Sequence, residues 1–125
     1  MTEIPKIADA ELEIMKVLWN ESPLTANHIV AALAQAKPWD PRTVKTLINR
    51  LHNKGAIGYD KNGRQYLYYP LLSQEACIRS ETKSFLAKFR DGMMRPLLVA
   101  FLEEGKLSEE EIDELKEMLE QKSKG

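Results

Sequence analysis

At 125 residues, 43% apolar and 30% charged, the chain can form one compact domain, or one such domain with an oligomerisation arm, and is too short for two full domains. Its longest apolar runs, Ile29 to Ala34 and Leu97 to Leu102, fall far short of a bilayer span, and the Met1-Thr2-Glu3-Ile4-Pro5 start has neither a basic n-region nor an apolar h-region; a cytoplasmic protein with no membrane insertion is expected. A net charge of -1 taken alone argues against a polyanionic partner, and the single cysteine, Cys77, excludes an intrachain disulfide and every multi-cysteine metal site.

Asp9 is placed to cap a first helix running to about Trp19, with Leu12, Met15 and Trp19 in a stripe thickened by Ile14, Val17 and Leu18. Asn20-Glu21-Ser22-Pro23 is its turn. Thr25 caps a second helix with Ile29, Val30 and Leu33 as its apolar face, and the chain breaks at Lys37-Pro38. A third helix follows from Asp40, a good N-cap, through Pro41 at the first helical position to a stop at Gly55. Within it Val44, Leu47, Ile48 and Leu51 recur at i, i+3, i+4 and i+7 and face a core. Arg42, Thr43, Lys45, Thr46, Asn49 and Asn53 are left towards solvent, and no acid follows the cap. A merely solvated face mixes Glu with Lys; this donor-rich one suits phosphates and base edges.

Three helices in this order make a helix-turn-helix core. Next, Ala56 to Lys61 and Arg64 to Pro70 flank Asn62-Gly63, a strong hairpin signal, so a wing is expected. With Asn62-Gly63 as the two turn residues, Lys61 would oppose Arg64, Tyr59 would oppose Tyr66 and Ile57 would oppose Tyr68. Two cations facing each other at the tip would be relieved by a phosphate between them; the alternative is that Lys61 and Arg64 are edge-strand charges that discourage aggregation.

Charge is distributed unevenly along the chain. Between Lys37 and Arg64 seven cations stand against two acids, whereas after Leu71 the acids dominate, chiefly in Glu103, Glu104 and the run from Glu109 to Glu120. A basic middle and an acidic end suggest one face for a polyanion and a separate one for a protein contact. The expected division is a winged-helix DNA-binding domain over 1–71 and a helical dimerisation domain over 72–125. In the second part Ser73 can cap a long helix carrying Ile78, Phe85, Leu86 and Phe89. The chain then bends near Gly92 and Pro96 into Leu97, Leu98, Val99, Phe101 and Leu102. Ser108-Glu109-Glu110-Glu111 is a capping box opening a last helix with Ile112, Leu115 and Leu119 on one side. These faces would be buried against a second copy, and a two-fold dimer presents two recognition helices to a pseudo-palindromic duplex. Packing back on the chain's own first core, as a monomer, is the competing arrangement.

The fold class expected is therefore mainly α with a small β-hairpin. Ile7-Ala8-Asp9-Ala10-Glu11-Leu12 through Trp19, Trp39-Asp40-Pro41-Arg42-Thr43-Val44-Lys45 through Leu51, Tyr66-Leu67-Tyr68-Tyr69-Pro70, and Leu107-Ser108-Glu109-Glu110-Glu111-Ile112 together resemble the penicillinase and methicillin-resistance repressor family over essentially the whole length. The resemblance implies a homodimeric repressor of β-lactamase or penicillin-binding-protein genes. It implies relief through a membrane receptor that senses β-lactam, with cleavage of the repressor in its dimerisation region. In the family that cut lies between an asparagine and a phenylalanine, which places the candidate bond at Ala100-Phe101. Asparagine is absent here, so the protease tolerates alanine, or another signal operates, or the bond is not cut and both residues are interface packing. A copper-responsive branch carries a C-terminal cysteine cluster that Cys77 alone cannot replace.

Neither His28 nor His52 has a suitably spaced Cys, Asp or second His, and the C-terminal acids read as a solvated helix face, so no catalytic or metal site and no cofactor are expected. His52 could touch phosphate at most. Cys77 reads as a partly buried small apolar residue in preference to a redox sensor, since nothing near it in sequence forces a thiolate. The DNA contacts expected are Arg42, Thr43, Lys45, Thr46, Asn49 and Arg50 from the recognition helix, with its N-terminal amides, and Lys61 and Arg64 from the wing. Two alternatives stay open: a winged-helix module for protein contacts, and a regulator of another set of genes that binds a small effector directly.

Overall fold

The structure, a computed structural model, describes residues 4–124. In chain order the elements are α1 (Asp9–Asn20), α2 (Ala26–Ala34), α3 (Pro41–Asn53), β1 (Ile57–Asn62), β2 (Gln65–Pro70), α4 (Gln74–Lys88), α5 (Met94–Glu104) and α6 (Glu109–Lys124). The fold is mainly helical with one antiparallel hairpin, and the chain divides into two compact units between Lys83 and Ser84.

In the first unit α1, α2 and α3 pack pairwise. Ile14, Met15 and Leu18 from α1, Ile29 and Leu33 from α2, and Val44, Leu47, Ile48 and Leu51 from α3 meet in one core. The apolar spacing of α3 thus buries the stripe that it predicts. Asp40 Oδ1 accepts the Arg42 amide at 2.8 Å, with Pro41 opening the helix. Its far end closes as a Schellman motif: the Gly55 amide donates to His52 and the Ala56 amide to Leu51, both at 3.0 Å, with Gly55 at φ +80°. Thr25 caps α2 through the His28 amide at 3.2 Å.

Asp9 is not the cap of α1. That position belongs to Ala8, which has no acceptor, and the Glu11 carboxylate reaches back to the Ala8 amide at 2.8 Å instead. Glu11 can serve because the Lys54 ammonium holds it, and the same ammonium donates to the Lys6 carbonyl at 2.8 Å. The start of α1 is thereby fixed to the end of α3.

The hairpin register also differs from the expected one. Asn62 pairs with Gln65, Lys61 with Tyr66, Tyr59 with Tyr68 and Ile57 with Pro70. The two turn residues are therefore Gly63 and Arg64, with Gly63 at φ +65°. Only the first turn residue needs positive φ here, as in a type II′ turn, so glycine supplies it and Asn62 stays extended in the strand. Each partner moves by two positions, which leaves every side chain on its expected face. The expected Lys61–Arg64 repulsion is absent, because Arg64 lies in the turn. Tyr59 and Tyr66 still stack, now diagonally, with ring centroids 4.4 Å apart.

Three sets of hydrogen bonds close the base of the wing and tie it, with the segment after it, to the rest of the first unit. Leu24 and Tyr68 exchange backbone hydrogen bonds at 3.0 and 2.8 Å, Leu71 and Leu72 both donate to the Ala56 carbonyl, and the Trp19 indole donates to the Leu72 carbonyl at 2.9 Å. Ser73 Oγ accepts the Ala76 amide at 3.1 Å, so α4 starts where expected, and Cys77 on its first turn joins the core of the first unit.

In the second unit the bend sits at Asp91 and Gly92, at φ +63° and +88°. Pro96 lies inside the first turn of α5, where its missing amide hydrogen costs nothing. Ser108 and Glu111 form the expected reciprocal capping box, at 3.0 and 3.1 Å.

Candidate nucleic-acid interface

The buried stripe of α3 decides which side chains remain available. Arg42, Thr46, Asn49 and Asn53 follow one another at helical spacing directly opposite the core, and all four are exposed. Lys45 and His52 flank that row on the wing side, where the His52 ring lies 5.1 Å from Tyr59. Thr43 and Arg50 flank it on the other side, also exposed. Arg50 is close enough to Glu11 for its charge to help depress that carboxyl, so it divides its field between the outer face and the α1 junction.

Two expected donors are qualified by their local bonds. The Thr46 hydroxyl donates to the Arg42 carbonyl at 2.9 Å. Phosphate can only accept, so in this rotamer Thr46 offers its methyl group and lone pairs, and Thr43 is the hydroxyl better placed to donate. The Asp40 carboxylate takes the Arg42 amide and puts negative charge at the start of α3, so that terminus is the limited anion site that Asp40 as N-cap implies. Lys54 is engaged by Glu11 and Lys6 and drops out of the basic set.

A better anion seat lies between the first turn of α2 and the wing. Thr25, Ala26 and Asn27, Lys45 of α3, and Arg64 and Gln65 line one concavity of about 220 Å³. Thr25 satisfies only His28, leaving the amides of Ala26 and Asn27 without helical partners. Two cations and the positive end of a helix thus converge. Lys45 and Arg64 were legible as basic residues, but nothing in the sequence joins them to Asn27. Lys61 is exposed on β1 on the face that carries Tyr59. Tyr59, Tyr66 and Tyr68 make a ladder on that face, and burial, then the two neighbouring phenols, push the Tyr68 hydroxyl pKa up.

Cys77 is 4% exposed. Burial, then the Glu81 charge, raise its thiol pKa, which disfavours a thiolate, and the residue is more fully buried than expected. Among the described residues no group of three or more His, Cys, Asp or Glu is arranged to hold a metal ion, and no helix is long and apolar enough to cross a membrane.

In the second unit the expected apolar set lies on the surface. Phe85, Leu86, Leu98, Phe101, Leu102, Ile112 and Leu119 are exposed, as is Ala100, whereas Phe89, Leu97 and Leu115 are partly covered; Ile78 is exposed on the part of α4 that belongs to the first unit. The rings of Phe85 and Phe89 pack together with centroids 4.8 Å apart. Val99, expected in the same apolar run, is exposed too, and Met93, Met94 and Met118, which the sequence alone does not single out, extend the exposed apolar surface.

Known proteins are similar to this chain over most of its length. A family model described as penicillinase repressor matches residues 7–121. The penicillinase repressor of Bacillus licheniformis is 40% identical over 121 residues, 97% of this chain and 94% of that protein. The methicillin resistance regulatory protein MecI of Staphylococcus aureus (strain N315) is 34% identical over 117 residues, 94% and 95% of the two chains. Among solved structures, the monomeric form of Bacillus licheniformis BlaI in complex with the blaP half-operator matches with a TM-score of 0.53 at 39% identity, covering 61% of this chain and 93% of that one. With matches of this extent, the chain belongs to the penicillinase repressor family.

Proposed function

We propose that the protein is a cytoplasmic, homodimeric transcriptional repressor that binds pseudo-palindromic operator DNA upstream of β-lactamase or penicillin-binding-protein genes. The observation that carries the reading is the outer face of α3, where donors stand in rows with no acid beyond the cap, together with kinship to repressors named for penicillinase and methicillin resistance. Arg42 and Asn49 read base edges in the major groove, Thr46 meets a thymine methyl, and Thr43 and Arg50 hold phosphate on one flank. Lys45, Arg64 and the first turn of α2 hold a phosphate on the other, and Lys61 follows the backbone along the wing. His52 supports the wing through Tyr59. Such a protein is a binder and not an enzyme, and it needs no cofactor.

Residues 1–71 form the DNA-reading part and 72–125 the dimerising part, with the first turn of α4 serving both, since Cys77 lies in the reading core. Dimerisation is supported by the second unit itself. Phe101, Leu102 and Leu119 are 56%, 59% and 68% exposed in the single chain, more apolar surface than a stable monomeric arm leaves in water. Ile78, Phe85, Leu86, Phe89, Leu97, Leu98, Ile112 and Leu115 join them against the second copy. The candidate cleavage bond Ala100-Phe101 lies within α5, so a protease belonging to a β-lactam-sensing receptor system reaches it only after local unwinding, which the nearby helix end at Gly105 favours.

Replacement of Lys45 by alanine tests the assignment. Operator affinity should fall by about 1–3 kcal/mol if Lys45 reads a base, or by less and equally on all sequences if it holds phosphate, with the salt slope smaller by about 1. Unchanged affinity for operator and control duplex alike would remove Lys45, and the seat it shares with Arg64, from the interface.

A further inference from the structure

α1 and the first half of α4 enclose a groove of about 460 Å³ in the first unit, away from α3 and the wing. Its walls are Ile7, Leu12, Trp19, Cys77 and Ile78, and its size falls within the roughly 300–1,000 Å³ typical of small-molecule sites. The polar groups along it are mostly engaged. The Trp19 indole donates to Leu72, the Thr82 hydroxyl donates to the Ile78 carbonyl at 2.7 Å, and the Lys16 ammonium is turned to Glu13 at 3.0 Å. What remains on the rim are the neutral Gln74 amide and the carboxylates of Asp9 and Glu81, and these two acids have no ion-pair partner among the described residues.

An aliphatic and indole lining beside two unneutralised carboxylates complements an apolar body with a positive head. An anion is repelled there, and a neutral molecule gains only the apolar contact. The Glu81 charge is felt inside the groove, since it contributes to raising the Cys77 thiol pKa. We propose that this groove binds a small lipophilic cation, an alkylammonium or arylammonium, with its apolar part against Leu12 and Trp19 and its positive head near Asp9 and Glu81.

The test uses the full chain without DNA. Hexyltrimethylammonium and hexyl sulfate, alike in tail and opposite in head, are titrated separately while the indole N–H signals of Trp19 and Trp39 are followed by NMR, with Trp39→Phe assigning the two. The site predicts a saturable shift of the Trp19 signal with the cation alone. It also predicts an affinity about five- to tenfold weaker in the D9N/E81Q double variant, whose operator binding without ligand is unchanged. Three results would overturn the proposal: no saturable shift with the cation, equal shifts with both amphiphiles, or a Trp19 signal that responds to protein concentration in place of the cation, which would mean that a second copy covers the groove.

Discussion

Replacing Lys54 by methionine should destabilise the first unit far more than a surface lysine substitution does. Lys54 is 34% exposed and Glu11 only 1%, and methionine keeps the aliphatic stem while removing the charge that holds the carboxylate. Removing one partner of a fully buried pair costs roughly 3–5 kcal/mol, whereas an exposed pair is worth about 0–1 kcal/mol. This pair lies between the limits, because water can follow the vacated ammonium and the Ala8 amide remains, so a loss of about 2–3 kcal/mol is expected. For a unit of this size that lowers the melting temperature by about 10–20 °C.

The dependence on pH separates this cause from lost packing. Burial alone pushes the Glu11 carboxyl up, but the hydrogen bonds from Lys54 and Ala8 and the charges of Lys54 and Arg50 outweigh it, so it titrates below its ordinary value. The interaction therefore stabilises the fold above the unfolded-state carboxyl pKa and is lost as pH falls through the lower folded value. In the variant burial has less opposition and the carboxyl titrates higher. The gap between the two proteins should then be widest near pH 7 and narrow as pH falls towards about 4. Urea unfolding followed by tryptophan fluorescence, at fixed protein concentration and both pH values, measures it. A difference below about 0.5 kcal/mol at neutral pH, or one independent of pH, would refute the assignment of Lys54 to Glu11.

Other expectations concern the wing, the thiol and the arm. Gly63→Ala places a Cβ at φ +65° and should cost about 1 kcal/mol, seen as faster amide exchange in β1 and β2 with little change in α1. Cys77, buried and with a raised thiol pKa, should react with a disulfide reagent at mildly alkaline pH on the order of a hundredfold slower when folded than in urea. Phe101→Asp should shift the protein from dimer to monomer in sedimentation while the circular dichroism of the helices largely persists; an undisturbed dimer would exclude this part of α5 from the interface.

The periodic parts of the fold were legible in the sequence. Val44, Leu47, Ile48 and Leu51 predict both faces of α3, and the caps at Thr25, Asp40, Ser73 and Ser108 carry side chains that announce themselves. Capping by a distant residue was not legible: Glu11 replaces Asp9 at the start of α1 because Lys54, from the end of α3, holds it in place. The hairpin shows a similar limit. Asn62-Gly63 locates the turn, but which two residues occupy it depends on backbone angles that the dipeptide leaves open. For the candidate interface, residue types on α3 indicate the outer face, while the meeting of Lys45 and Arg64 at the first turn of α2 needs the tertiary fold.

The central claim is sequence-preferring DNA binding by a dimer. A fluorescence-anisotropy titration of a labelled β-lactamase-type operator duplex, beside a scrambled duplex and at two salt concentrations, tests it most directly. The account predicts tight, salt-sensitive binding that prefers the operator and saturates at two chains per duplex; equally weak binding to both duplexes would contradict it.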